Sequence, residues 1–313
     1  MLARSLTAFL LSALLAGIAA WAALALAPRW RLLDRAAEER KLHRRARPIG
    51  GWALFLAFWI GTAPFLAWDR TALGLLLGSL AVLIIGLVDD RRGLSPGVKL
   101  VGQIAAAAIA VLWGGLSPRV ITLGPLRLGL GAWGAPLMLL WVVGVTNALN
   151  LLDGLDGLAL GLAMIVAAFS LVLALQSGNE ATALLNLGLL GSATGFLFYN
   201  FHPARLFLGD EGSYFLGFLL GFLPMLALQA GLGPLRDTPV LVPLALLALP
   251  LADTAWAVVR RARAGRSIFA PDQEHIHHRL LRRLGSQRKA VLTLYAIAVL
   301  CGLLALALRP GGG

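Results

Sequence analysis

Four short polar strings interrupt a 313-residue chain that is 59% hydrophobic. GLVDDRRGLSPGVKL carries the adjacent carboxylates Asp89 and Asp90, with Lys99 following. TNALNLLDGLDGLA carries Asn147, Asn150, Asp153 and Asp156, and FYNFHPARLFLGDEGSYFLGF carries Asn200, His202, Phe207, Asp210, Glu211 and Ser213. HIHH supplies His275, His277 and His278, with Arg279 next to them. Adjacent carboxylates repel, and a divalent cation, a basic side chain or a proton relieves them. Carboxylate and amide oxygens are hard ligands that suit Mg²⁺, which commonly joins protein carboxylates to substrate phosphates. Imidazoles and guanidinium groups facing such carboxylates suit a pyrophosphate. The chemistry this donor set describes is phosphoryl transfer.

Each string also has a plainer explanation. Asp89–Asp90 can end a helix in solvent, the 146–159 stretch can be a simple hairpin, and an acidic residue in LGDEGS can cap a helix N-terminus. An open helix N-terminus there would instead present N–H groups to phosphate. Gly154 and Gly157 point to a helix break that lends backbone groups to a ligand. A histidine–zinc centre lacks thiolates, because the one cysteine, Cys301, sits inside an apolar block; the same fact rules out a disulfide framework.

The elements that must position these residues are membrane helices. Mean hydropathy is +0.82, and apolar blocks of about 17 to 25 residues have the length a helix needs to cross a bilayer. Blocks so continuously apolar are helical rather than alternating strands. The expected fold is therefore an all-α polytopic membrane protein, one domain over 1–313, with about ten spans near 6–28, 49–68, 71–88, 99–115, 134–151, 156–176, 182–200, 211–230, 239–258 and 290–309. The first block resembles a signal peptide, but its length suits a retained span.

The connections after odd-numbered spans, with the span ends that border them, collect 21 of the 27 Lys and Arg residues, all five histidines and eleven of the fifteen acidic residues. Cytoplasmic loops collect basic residues, so this face is read as cytoplasmic and both termini as outside. The +12 net charge then reflects topology, with no nucleic-acid partner. The working loops lie near 29–48, 89–98, 150–156, 200–211 and 259–289. SPRVITLGPLRLGLGAWG predicts a small hairpin on the opposite face, and the segment from Gln273 predicts a short basic amphipathic helix. An apolar body bearing phosphate chemistry at its surface implies a lipid phosphate as one substrate.

RKLHRRARPIGG, GLVDDRRGLSPGVKLVGQ, TNALNLLDGLDGLA, FYNFHPARLFLGDEGSYFLG and PDQEHIHHRLL, in this order, resemble the polyprenyl-phosphate N-acetylhexosamine-1-phosphate transferases, glycosyltransferase family 4. The likeness covers roughly residues 40 to 285. It implies transfer of a sugar 1-phosphate from a UDP-N-acetylhexosamine to undecaprenyl phosphate in the bacterial cytoplasmic membrane, with Mg²⁺ or alternatively Mn²⁺, releasing UMP; a homodimer is common there. The resemblance further implies that Asp89 and Asp90 are the catalytic pair, with Asp89 the base toward the lipid phosphate, and that Lys99 faces phosphate. Asp210 would be the metal ligand, with Asn150 beside it on metal or diphosphate. Asp153 and Asp156 would shape the nucleotide pocket, Phe207 would stack on uracil and Asn200 would support the site. His275, His277, His278 and Arg279 would contact sugar or diphosphate, and His43 belongs to the first loop's substrate contacts.

ARPIGG and HIHHRL favour the branch that starts envelope glycans with N-acetylglucosamine over phospho-N-acetylmuramoyl-pentapeptide transferase. An ion-coupled transporter, the alternative from another class, would place its polar groups at the bilayer midplane and show two-fold symmetry between halves. A lipid-binding scaffold would need the basic rim but not the ordered aspartates and asparagines.

Overall fold

The computed structural model describes residues 2–30, 33–34, 47–48, 50–265, 267 and 274–309. Helices occupy all ten intervals read from the apolar blocks. They are α1 (Leu2–Trp30), α2 (Gly51–Thr62), α3 (Arg70–Arg92), α4 (Pro96–Ala108), α5 (Gly134–Leu152), α6 (Leu158–Gln176), α7 (Glu180–Asn200), α8 (Gly209–Leu226), the pair α9 (Leu241–Leu246) and α10 (Ala248–Arg263), and α12 (Gln287–Ala307). The short α11 (Ile276–Leu284) precedes α12 and is the amphipathic helix expected from Gln273. Among the described residues, seven helices are long and apolar enough to cross a membrane: α1, α3, α4 with its π-helical extension to Trp113, α5 with its preceding turn, α6, α7 and α12. The segment Gly51–Phe65 is shorter, and the ninth interval is broken at Leu247.

The bundle is built around α8. Every residue of this helix except Asp210 is buried, the signature of a helix apolar on all sides and enclosed by others. Its neighbours α2, α3, α5 and α6 come close because glycines remove the side chains that would hold them apart. A Cβ added at Gly86 of α3 would lie 2.3 Å from the Glu211 Cα, and one at Gly217 of α8 would lie 2.5 Å from the Thr146 Cα. The same device joins α1 to α7, where Cβ atoms at Gly191 and Gly195 would meet the carbonyl oxygens of Phe9 and Ala13 at 2.2 Å each. The outer face of α1 shows Leu6, Leu10, Leu14, Ile18 and Trp21, an apolar stripe suited to lipid.

Strand elements are short. β1 (Leu33–Asp34) pairs with β2 (Arg47–Pro48). The expected hairpin is present as β3 (Val120–Leu123) and β4 (Leu126–Gly129), antiparallel with Leu123 opposite Leu126. The sequence reading missed a third strand, β5 (Asp237–Pro239), which adds parallel to β3. Asp237 fixes it there: its carboxylate accepts from Thr122 Oγ1 at 2.5 Å and pairs with Arg127. Three residues ending in proline carry no period-2 signal, and backbone bonds from Val120 N to Arg236 O and from Val240 N to Thr122 O complete the pairing.

Candidate active site

The starts of α2, α4 and α8 and the ends of α3 and α5 meet at one end of the bundle, through the polar strings. Gly209, at φ +68°, turns the chain into α8 in a conformation that glycine adopts without a Cβ penalty. The first N–H groups of α8 are not open to a phosphate, contrary to the expectation from LGDEGS. Asp90 occupies them: its Oδ1 accepts from Asp210 N at 3.0 Å and its Oδ2 from Glu211 N at 3.2 Å. A carboxylate is favourable at that position because the N-terminal amides lack intrahelical partners and carry partial positive charge. Glu211 repeats the arrangement one helix further on. It is fully buried, and its Oε1 accepts from Trp52 N at the start of α2 at 3.1 Å. Carboxylates thus tie α3 to α8 and α8 to α2.

Asp89, one residue before Asp90, turns to a different task. Its Oδ1 accepts from Leu94 N at 2.8 Å, and its Oδ2 is paired with Lys99 and accepts from Tyr214 Oη at 3.3 Å. Lys99 lies between two carboxylates, with Asp210 Oδ2 at 3.8 Å on its other side. Asn150, on the last turn of α5, donates from Nδ2 to Asp210 Oδ1 at 2.8 Å and to Ser213 Oγ at 2.9 Å. The Asp210 side chain is 32% exposed and that of Lys99 21%, against 2% for Asp89. Asp89 is therefore the buried anchor, while Asp210 and Lys99 face outward. Behind them, Asn147 donates to Gln103 Oε1 at 2.6 Å and Gln103 returns a contact at 3.4 Å, joining α4 to α5 one turn beyond Lys99 and Asn150.

The 153–157 turn connects this centre to two further groups. The Asp156 carboxylate is buried, and its Oδ2 meets His202 Nδ1 at 2.9 Å and Ala204 N at 3.0 Å, so it organises the segment after α7. Asn200 assists, donating to Leu206 O at 3.0 Å. Phe207 is 9% exposed and packs with Ala204 and Leu87. Asp153 caps α5, its N–H bonded to Asn150 O at 3.1 Å. On the other side, His277 is packed against Gly154, where an added Cβ would fall 2.2 Å from Nε2. The His275 and His277 rings are near-parallel with centroids 5.8 Å apart, and His278 follows at 4.1 Å from His277. Arg279 is exposed on α11, and His43 lies outside the described residues.

Asp253, Tyr214 and Gln103 hydrogen-bond to residues of the polar strings without having been singled out in the sequence. Asp253 lies in the last third of the apolar interval 239–258. Its lone carboxylate was the available signal, since an ionisable residue at membrane depth is by default a functional candidate.

Among the described residues no three His, Cys, Asp or Glu side chains surround one metal position. The donor set nevertheless fits Mg²⁺, which usually keeps several waters and takes one or two carboxylates plus substrate phosphates rather than a closed protein cage. Asp210 offers the exposed carboxylate and Asn150 the amide beside it.

Comparison with known proteins places the chain in a family. The profile of Glycosyl transferase family 4 matches residues 72–228, which takes in Asp89, Lys99, Asn150 and Asp210. A probable undecaprenyl-phosphate N-acetylglucosaminyl 1-phosphate transferase of Bacillus subtilis is 37% identical over 274 residues, covering 86% of this chain and 75% of that protein. A decaprenyl-phosphate N-acetylglucosaminephosphotransferase of Mycobacterium tuberculosis is 37% identical, covering 82% of this chain and 71% of its own. A phospho-N-acetylmuramoyl-pentapeptide-transferase of Moorella thermoacetica is 32% identical, with 84% of each covered. The ordered motifs, the helices that gather them and these likenesses establish that the chain belongs to glycosyl transferase family 4.

Proposed function

We propose that this protein transfers N-acetylglucosamine 1-phosphate from UDP-N-acetylglucosamine to undecaprenyl phosphate, releasing UMP and leaving a sugar on a lipid diphosphate. The observation that carries this reading is the Asp89–Lys99–Asp210–Asn150 linkage, which presents a cation and a carboxylate together at the bundle's polar end. The activity printed for the Bacillus and Mycobacterium relatives supports the N-acetylglucosamine donor over the muramoyl-pentapeptide nucleotide.

An oxygen of the lipid phosphate attacks the β-phosphorus in line, and the bond from that phosphorus to the UMP oxygen breaks. Most of the acceleration comes from positioning and charge compensation. Lys99, held by Asp89, sets positive charge against the transferred phosphoryl oxygens. Asp89, buried behind the cation, keeps Lys99 in that position. Asp90 holds the α8 start rigid, so that Asp210 and Asn150 keep their places. Mg²⁺, held through Asp210 with Asn150 beside it, would offset charge on the diphosphate. Asp153 and the turn around it border the nucleotide, and the α11 histidines face the sugar diphosphate.

The basic excess at this end orients it toward the cytoplasm with both termini outside. In this arrangement α2, α8 and the α9–α10 pair complete ten spans with the seven long helices, in the cytoplasmic membrane. A screen of UDP-N-acetylhexosamines with undecaprenyl phosphate and Mg²⁺ tests the donor. UMP release with UDP-N-acetylglucosamine supports the reading, and release with the muramoyl-pentapeptide nucleotide alone overturns it.

A further inference from the structure

Asp253 is a buried carboxylate on α10 that no motif includes, and it makes two separate hydrogen bonds to the segment entering α11. Its Oδ1 accepts from Ile276 N at 2.8 Å, and its Oδ2 meets His275 Nδ1 at 2.8 Å. Asp253 is 8% exposed and His275 3%. The first bond supplies the N-terminal cap that α11 does not make for itself, since His275 at the cap position gives no side-chain cap bond. The second makes Nδ1 the His275 nitrogen turned to the carboxylate and fixes the plane of the ring, the usual effect of a carboxylate partner on an imidazole. Parallel to that ring, His277 rests on Gly154. Gly154 lies in the turn whose preceding residues bring Asn150 to Asp210.

We propose that Asp253 is a positioning residue for the donor site. By fixing His275 and the first turn of α11, it seats His277 against the Asn150–Asp156 turn and so shapes the pocket that receives the sugar diphosphate. This rests on the phosphosugar-transferase reading above. Asp253 touches no reacting atom; its influence runs through the histidine pair. The acceptor lipid, which reaches the Asp89–Lys99 side of the site, is outside that influence.

The test uses the full-length purified enzyme and measures initial rates against each substrate in turn. Asp253→Asn keeps an acceptor for one N–H but loses the charge-assisted bond to His275, so KM for UDP-N-acetylglucosamine rises by about tenfold. KM for undecaprenyl phosphate stays within twofold of the parent. His275→Gln reproduces the donor effect, and adding it to Asp253→Asn brings little further loss, since both remove one interaction. If Asp253→Asn does not fold, His275→Gln alone decides by the same split. A donor KM unchanged in these variants, or a rise in both KM values together with a lowered melting temperature, overturns the inference. A parent enzyme that releases no UMP would instead remove the function reading itself.

Discussion

Asp90 and Asp210 stand 120 residues apart in sequence and are joined through a backbone amide, the Asp90 carboxylate accepting from Asp210 N at 3.0 Å. Neighbouring aspartates in one motif therefore have separate duties: Asp90 faces the start of α8, and Asp89 holds Lys99. Asp90→Ala removes a helix cap at the core of the site. It should lower stability by about 1–2 kcal/mol, read as a reduced melting temperature in detergent, with activity falling alongside. Asp210→Asn should lose activity while melting near the parent temperature. An Asp90→Ala protein as stable as the parent would refute the capping role.

Close approach of α3 to α8 depends on Gly86. A methyl group there would lie 2.3 Å from the Glu211 Cα and 2.5 Å from its nitrogen, so the helices must separate. Gly86→Ala should cost about 1–3 kcal/mol and pull Asp90 away from the α8 amides, lowering kcat as well as the melting temperature. Gly97→Ala, where an added methyl meets nothing within 4 Å, is the matched control and should leave both nearly unchanged.

Lys99 is predicted to act on the transition state more than on binding. Lys99→Met retains the aliphatic stem but leaves Asp89 and Asp210 without the cation between them. A reduction in kcat of about 10²–10³-fold is expected, with KM for the nucleotide sugar changed far less. Steady-state kinetics separate the two, and a variant impaired only in KM would contradict this placement.

Gly154→Ala probes the contact between the α11 histidines and the 150–156 turn. The added methyl would meet His277 Nε2 at 2.2 Å, so the turn or the ring must move. Activity should drop by about tenfold or more, because small misplacements of positioning groups are costly, while thermal unfolding shifts little at a turn on the bundle's end. Full activity would separate these histidines from the reaction.

Much of this was legible in the sequence. Apolar block length located helices at all ten intervals, because hydrophobic length is a local property; the Gly-Pro punctuation did the same for the β3–β4 hairpin. The polar strings pointed to phosphate chemistry on one face, and the family resemblance singled out Asp89, Lys99, Asn150 and Asp210 within them. What remained hidden depended on three-dimensional pairing. Asp90 as the cap of another helix, Asp156 as the anchor of His202 and Ala204, and Asp253 as the hold on His275 are relations between distant segments. β5 was invisible for the same reason, since Asp237 finds Thr122 and Arg127 only after folding.

Following the β-phosphorus tests the central claim most directly. With UDP-N-acetylglucosamine labelled with ³²P at the β-phosphate, undecaprenyl phosphate and Mg²⁺, the label should pass to the organic phase as lipid diphosphate while unlabelled UMP stays in water, and Asp210→Asn should stop both. Label that remains wholly in the aqueous phase with the parent enzyme, or lipid product that carries sugar without the label, would contradict it.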